Sequence, residues 1–271
     1  MPGRFKTLRK YQRTLGLVAG ARWSLLRSAD FRGLLRKKTV QLHPRVLAHP
    51  VHVRMQGSSD QNVFEQIFVR RDFDVSGLLD PPQLIFDLGA NVGYSAAVFL
   101  SLFPGARVLA VEPDPDNAEL CSKNLTPYGD RARVVKGAVW HSRTSLVLSR
   151  GTFGDGREWA TEVREVRGGE TGDVDAWDIP SLLALIGGTE IGLLKIDIEG
   201  SEAALFSCGT DRWLDRVRNL FVELHGPACE QAVIGALREY DYDCSRSGEY
   251  MVCLNLRRRP NIAVAKHGTG A

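Results

Sequence analysis

The stretch LIFDLGANVGYSA, residues 84 to 96, decides how the chain is read. An apolar run suited to a buried strand ends near Asp87, and Gly89 and Gly93 then bracket a turn that opens into an apolar helix. Glycines at such a turn let the backbone bend sharply and let a ligand approach the main chain. The free N–H groups of the following helix point into the crevice at the carboxyl end of the strand, where open α/β sheets hold nucleotide-bearing ligands.

The letters of the turn narrow the ligand. A dinucleotide fingerprint needs G-x-G-x-x-G around a pyrophosphate. Here the turn reads G-x-N-x-G, with Asn91 in the middle and Asp87 two residues ahead. A carboxylate repels a pyrophosphate but attracts an ammonium or a sulfonium, so S-adenosylmethionine is favoured over NAD. Glu112 ends the next strand, 19 residues after Gly93, with Pro113 beside it. A carboxylate there can accept hydrogen bonds from both ribose hydroxyls. NAD-binding chains use the same device, so Glu112 alone does not discriminate. A third strand ends around Ala138, whose backbone and apolar neighbours would frame an adenine.

Outward from this centre, strands and helices alternate. QLIFDLG, RVLAVEP, RARVVKGAVW, IGLLKIDIEG and RNLFVELHG read as strands, with helices over YSAAVFLSLF, PDNAELCSKNL, SLLALIGG, SEAALFSCG and CEQAVIGALREY. That alternation predicts a parallel sheet with right-handed crossovers. Residues 141 to 176 break the rhythm, with TSLVLSR and TEVREVR as two strands around a glycine-rich turn. YDCSRS and YMVCLNLRRR suit an antiparallel pair at the sheet edge.

The second distinctive stretch is LLKIDIEGSEAALF, residues 193 to 206. Lys195 and Asp197 point to one side of a strand. Glu199 and Gly200 turn into a helix whose first turn holds Glu202, an acid with an ordinary role against the helix dipole. Asp197 sits at the mouth of a central strand, which makes it a candidate for contact with the cofactor as well as for catalysis. FDLGANVGYSA, VLAVEPDPDNAELCSKNL, LLKIDIEGSE and LFVELHG, in that order over roughly residues 58 to 256, resemble the FkbM-type S-adenosylmethionine-dependent methyltransferases. The resemblance implies a class I methyltransferase (Rossmann-like) fold, an α/β seven-stranded, mostly parallel sheet flanked by helices. It also implies O-methylation of a hydroxyl on a sugar, glycan or secondary metabolite.

Two chemistries fit a poorly nucleophilic hydroxyl. In one, His225, just past the fifth strand, removes the proton. In the other, Asp197 and Glu223, at the ends of adjacent strands, ligate a divalent ion such as Mg2+ that acidifies the hydroxyl. Lys195 would neutralise Asp197 or orient the acceptor. Other readings are an NAD-linked oxidoreductase, a nucleic-acid methyltransferase anchored by basic residues, and a scaffold that only binds cofactor. The missing third glycine disfavours the first. No aromatic-interleaved basic platform supports the second.

The chain has 271 residues, 44% hydrophobic and 25% charged, enough to bury a large core. Its net charge is +3, unevenly spread: residues 1 to 54 carry thirteen Lys/Arg against one acid, Asp30, for +12, and the remainder 22 against 31, for −9. Residues 4 to 18 read as one basic amphipathic helix, with Phe5, Leu8, Tyr11, Leu15 and Val18 on the apolar face. Such a helix docks on its own domain or makes a peripheral membrane contact. The expected organisation is a basic arm over 1–57, a helical preamble or lid over 58–82, the cofactor-binding domain over 83–256 and a flexible tail over 257–271. Ser59 or Asp60 is the expected cap of the preamble helix. No apolar run is long enough to span a bilayer. Five scattered cysteines without a CxxC pair suit a reducing, cytoplasmic setting. Oligomeric state has no signature.

Overall fold

A computed structural model describes residues 2–31, 38–55, 58–71, 75–150 and 161–260. The glycine-rich turn (151–160) and the last eleven residues of the expected tail (261–271) lie outside the described residues. Two helices, α1 (Pro2–Leu15) and α2 (Leu17–Phe31), precede an antiparallel pair, β1 (Thr39–Leu42) and β2 (Val51–Arg54). A short helix α3 (Asp60–Glu65) runs into one π turn, Gln66–Arg70. The core then alternates β3 (Leu84–Leu88), α4 (Tyr94–Leu102), β4 (Arg107–Glu112), α5 (Pro115–Leu125) and β5 (Ala132–Lys136). Next come four short strands, of which the first three are β6 (Ala138–Val139), β7 (Thr144–Arg150) and β8 (Thr161–Glu165). The fourth, β9 (Val174–Trp177), leads into α6 (Ile179–Ile186), β10 (Leu193–Ile196), α7 (Glu202–Leu205), β11 (Leu220–Glu223), α8 (Pro227–Ala236), β12 (Tyr240–Ser247) and β13 (Tyr250–Arg258).

The main sheet has seven strands in the order β12-β13-β11-β10-β3-β4-β5. The run from β11 to β5 is parallel, and β13 is antiparallel to both its neighbours. This is the mostly parallel, helix-flanked sheet expected from the sequence. β3 is buried at all five positions because both faces are covered. Ile85 faces the cluster under α4 and α5, while Leu84, Phe86 and Leu88 face the cluster under α6 and α8, as a period of two requires. Chain order reverses between β3 and β10, so the crevice at their carboxyl ends is the topological switch point where such sheets hold ligands.

Two expectations need correction, and a third holds in position without its side-chain bond. The single basic helix is a hairpin: Gly16, with φ +94°, breaks the helix and restarts its phase. Val18, assigned to the apolar face, is therefore 82% exposed, and Leu17 beside it is also exposed. The third strand is split at Gly137. β5 stays in the main sheet, and β6 pairs with β9 in a separate four-stranded sheet of order β6-β9-β7-β8. β9 is a strand the sequence does not announce, because its four residues are too short to show a period. At the start of α3, Ser59 holds the cap position without a side-chain hydrogen bond. Asp60 instead turns back to β2, accepting from the Arg54 backbone N–H at 2.8 Å and pairing with its guanidinium at 2.7 Å.

The N-terminal hairpin is anchored rather than free. Leu15 and Trp23 are buried, and Trp23 stacks 4.5 Å from Phe64 of α3, which in turn meets Phe68 and Tyr94. Glu65 accepts from Tyr11 Oη at 2.8 Å and from Trp23 Nε1 at 3.3 Å. Truncating a buried tryptophan removes its transfer energy and leaves a cavity, so Trp23→Ala is expected to lower stability by about 3–5 kcal/mol in urea unfolding. An unchanged midpoint would mean that the hairpin does not pack on the core in solution.

Candidate functional site

The crevice above the β3–β10 boundary encloses a cavity of about 640 Å³. Its floor is the turn Gly89–Asn91 with Val111, Glu112 and Pro113 after β4. Ala138 and Val139 wall one end, and Asp197, Glu199, Glu223 and His225 the other. Lys10, Asn62, Gln66 and Arg70 roof it. Gln66 Nε2 donates to Glu249 Oε2 at 2.8 Å, tying the π turn to the β12–β13 hairpin across the mouth.

Asp87 is not among the lining residues. It is fully buried, with Oδ2 accepting from Ser95 Oγ at 2.5 Å and Oδ1 3.1 Å from Lys195 Nζ. Lys195 lies directly opposite Asp87 in the parallel register and is itself buried. Its ammonium also donates to Gly89 O at 2.7 Å and lies 3.6 Å from Asp197 Oδ2, an ion pair longer than a hydrogen bond. Burial opposes the charge on Lys195, but Asp87 and Asp197 outweigh it and raise its pKa. The carboxylate expected to attract a cationic guest is thus engaged behind the glycine turn.

The glycines make the sharp turn expected of them, and they also leave no room for a side chain. A Cβ on Gly89, at φ +75°, would stand 1.7 Å from Asp197 O. One on Gly93, at φ +82°, would stand 2.8 Å from Cys121 Sγ on α5. Both positions require glycine for packing as much as for curvature. Asn91 is left-handed at φ 49°, and its side chain accepts from the Val92 N–H at 2.8 Å. Its own N–H donates to Glu112 Oε2 at 2.8 Å, and the Asp114 N–H donates to Oε1 at 3.1 Å. Glu112 therefore braces the turn and lines the cavity. Burial pushes its pKa up to about 7 despite those two backbone bonds and a side-chain hydrogen bond from Asn117.

At the other end, His225 stands among four acids. Nδ1 is 3.1 Å from Glu202 Oε1, while Nε2 lies 3.5 Å from Glu199, 3.6 Å from Glu223 and 3.9 Å from Asp197. Burial disfavours the imidazolium, yet Glu202, Asp197 and Glu199 outweigh it and push His225 up to about 9. Burial, with Asp197 beside them, pushes Glu199 up to about 7 and Glu223 up to about 8. Ligand atoms of Asp197, Glu223 and His225 all lie within 4.8 Å of one another.

Sequence reasoning misses three residues. Glu202 is no surface acid at a helix start; it is fully buried, accepting from the Ile198 and Gly200 N–H groups at 3.0 Å while it faces His225. Its signal is the EGSE turn, where a left-handed Glu199–Gly200 pair folds the helix start back under the strand mouth. Tyr250 donates to Asp197 Oδ2 at 2.8 Å, and Ser95 donates to Asp87. Neither carries a local signature, since each arrives from a separate element.

The Methyltransferase FkbM domain matches residues 87–244. The 2-O-methyltransferase NoeI of Sinorhizobium fredii is 29% identical over 163 residues, which are 55% of this chain and 66% of that protein. The methyltransferase sdnD of Sordaria araneosa is 27% identical over 214 residues, 66% of this chain and 80% of that one. The crystal structure of a Methyltransferase FkbM from Methylobacillus flagellatus covers 67% of this chain, with 46% of its own length matched, at 19% identity and a TM-score of 0.46.

Removing one partner of a buried ion pair strands the other, at a cost of about 3–5 kcal/mol. Lys195→Met is therefore expected to destabilise the fold by that amount in urea unfolding, whatever it does to activity. A variant with unchanged stability would return Lys195 to the role of a substrate contact alone.

Proposed function

Because the chain belongs to the FkbM methyltransferase family, we propose that it transfers the methyl group of S-adenosylmethionine to a hydroxyl of a sugar, glycan or secondary metabolite. The observation that carries this reading is one crevice with two unlike ends: the Glu112 carboxylate lines one, and His225 stands among acids at the other. When bound, S-adenosylmethionine supplies an electrophilic methyl group on a sulfonium, open to in-line attack by oxygen.

Each residue then has a part. Glu112 accepts the ribose hydroxyls, and Ala138 and Val139 flank the adenine. Asn91, Gly89 and Pro113 shape the floor between. The acids around Asp197 give the far end a negative field suited to a cationic centre. Glu202 holds the Nδ1–H of His225 and leaves Nε2 facing the cavity, so that it can take the acceptor's proton. Positive charge admitted beside these acids offsets their field and lowers the pKa of His225 toward neutrality. Lys195, which also lines the crevice, positions Asp197 and the turn.

A divalent ion is the second reading, favoured by the convergence of Asp197, Glu223 and His225. An imidazole nitrogen with two carboxylate oxygens suits manganese, iron or zinc better than magnesium. Glu202 at Nδ1 would orient the ligating ring. The ion would lower the pKa of the acceptor hydroxyl. Nε2 cannot both ligate and abstract a proton, so the two readings are exclusive. Dialysis against EDTA separates them: an unchanged rate selects His225 as base, and a lost rate restored by manganese selects the metal.

Incubation with isotope-labelled methyl donor and candidate hydroxylated acceptors, read by mass spectrometry, tests the reaction itself. His225→Ala is expected to lower turnover by roughly 10²–10⁴-fold while calorimetric affinity for S-adenosylhomocysteine stays unchanged. Glu112 adds a pH test. Its raised pKa means that the folded, ligand-free protein holds a proton the unfolded chain has lost, so its contribution to stability is lost as pH rises through about 7. Ribose hydroxyls donating to the ionised form reverse that preference. Affinity for S-adenosylhomocysteine should therefore rise roughly tenfold from pH 6 to pH 8. Glu112→Gln should abolish the trend, and a flat wild-type profile would remove Glu112 from the ribose site.

A further inference from the structure

Beside the roof of the crevice, which shares Lys10 with it, lies an open surface depression of about 640 Å³, lined by exposed Arg9, Lys10, Arg13, Arg45 and Arg71 and by half-buried Thr14. Among the described residues five cations line it and no acid does. None of the five makes an ion pair with a described carboxylate. Three elements deliver them. Arg9, Lys10 and Arg13 share one side of α1. Arg45 sits on the β1–β2 connection, where its backbone N–H donates to Leu15 O at 2.9 Å and fixes that loop against the end of α1. Arg71 follows the π turn in a left-handed conformation, φ 63° and ψ 57°, which is unfavourable for a side chain of this size.

An ordinary explanation covers only part of this. A cation in the last turn of a helix complements its dipole, which accounts for Arg13. It does not account for Arg45 and Arg71, exposed cations that two other elements bring to the same depression. Lys10 lines both the crevice and the depression, and Arg70, the neighbour of Arg71, lines the crevice. The basic basin therefore adjoins a crevice whose far end is acidic. A guest with a hydroxyl at one end and an anion at the other would be oriented by that polarity.

We propose that this basin binds a phosphate group carried by the methyl acceptor, so that the acceptor is a phosphate or pyrophosphate ester rather than a neutral sugar. This rests on the methyl-transfer reading for the crevice. Guanidinium groups suit phosphate through paired, charge-assisted N–H···O bonds, and Lys10 supplies a point charge at the junction. The ester can be soluble or lipid-linked, and the chemistry in the basin is the same for both.

The test is calorimetric titration of the full chain with inorganic pyrophosphate at low salt, with and without saturating S-adenosylhomocysteine. Binding by the wild type is expected, weakened roughly a hundredfold in an Arg13→Ser, Arg45→Ser double variant, at about tenfold for each guanidinium removed from the phosphate. Affinity for S-adenosylhomocysteine should be equal in both proteins, which also shows that the variant is folded. No heat with pyrophosphate, or equal affinity in the double variant, overturns the proposal. So does binding to phosphatidylglycerol vesicles that pyrophosphate fails to displace, which would make the basin a membrane contact. Failure of S-adenosylhomocysteine to bind would instead sink the methyl-transfer reading, and the pyrophosphate titration alone still decides the basin. A sugar 1-phosphate in solution and a polyprenyl phosphate in phosphatidylcholine vesicles then distinguish the two sources by which one the wild type retains.

Discussion

The contact between Lys195 and Asp87 joins the two strands at which the sheet reverses direction. It lies across the β3–β10 boundary, in register, with both side chains buried. Ions out of water are costly unless they are paired and hydrogen-bonded. Here Ser95 donates to one carboxylate oxygen and the ammonium donates to Gly89 O, while Asp87 Oδ1 meets the ammonium as an ion pair at 3.1 Å without a hydrogen bond. The arrangement therefore does more than neutralise charge. It ties the glycine turn to the mouth of β10 and sets the distance between the floor of the crevice and its acidic end. Gly89 has no side chain because Asp197 O occupies the place one would need.

From that joint the two ends of the crevice are supported independently. Glu112 holds the turn from the β4 side through two backbone N–H groups. Glu202 holds His225 from beneath, through the turn that follows β10. Glu112 and Glu202 are thus both buried carboxylates held by backbone donors, the first facing the cavity itself and the second supporting His225. Such support fixes ring and carboxylate orientation before any ligand arrives.

Much of this is legible in the residues. The apolar runs of β3, β4 and β10, each ending in a turn with an acid, mark a parallel sheet and the location of its crevice. Glu112, Asp197 and His225 stand where the strand ends put them. The rest depends on distances that a linear pattern does not carry. Asp87 looks like an exposed edge charge because Lys195, its partner, is 108 positions later in the chain. Glu202 matches the common pattern of an acid in a first helical turn, and only the left-handed bend at Glu199 and Gly200 brings it under His225. The periodicity of apolar residues runs on through Gly16 by coincidence, although the backbone turns there.

The hydrogen bond from Gln66 to Glu249 is the visible fastening over the mouth, and it lies in solvent. An exposed amide–carboxylate contact competes with water at every moment and holds weakly. The π turn beneath it is held by Phe68, buried against Phe64 and Tyr94, so the polar clasp can part while the turn stays packed. Exchange of spent for fresh cofactor then needs only side-chain motion at Gln66 and Glu249, and the fixed wall behind them keeps the shape of the crevice between turnovers.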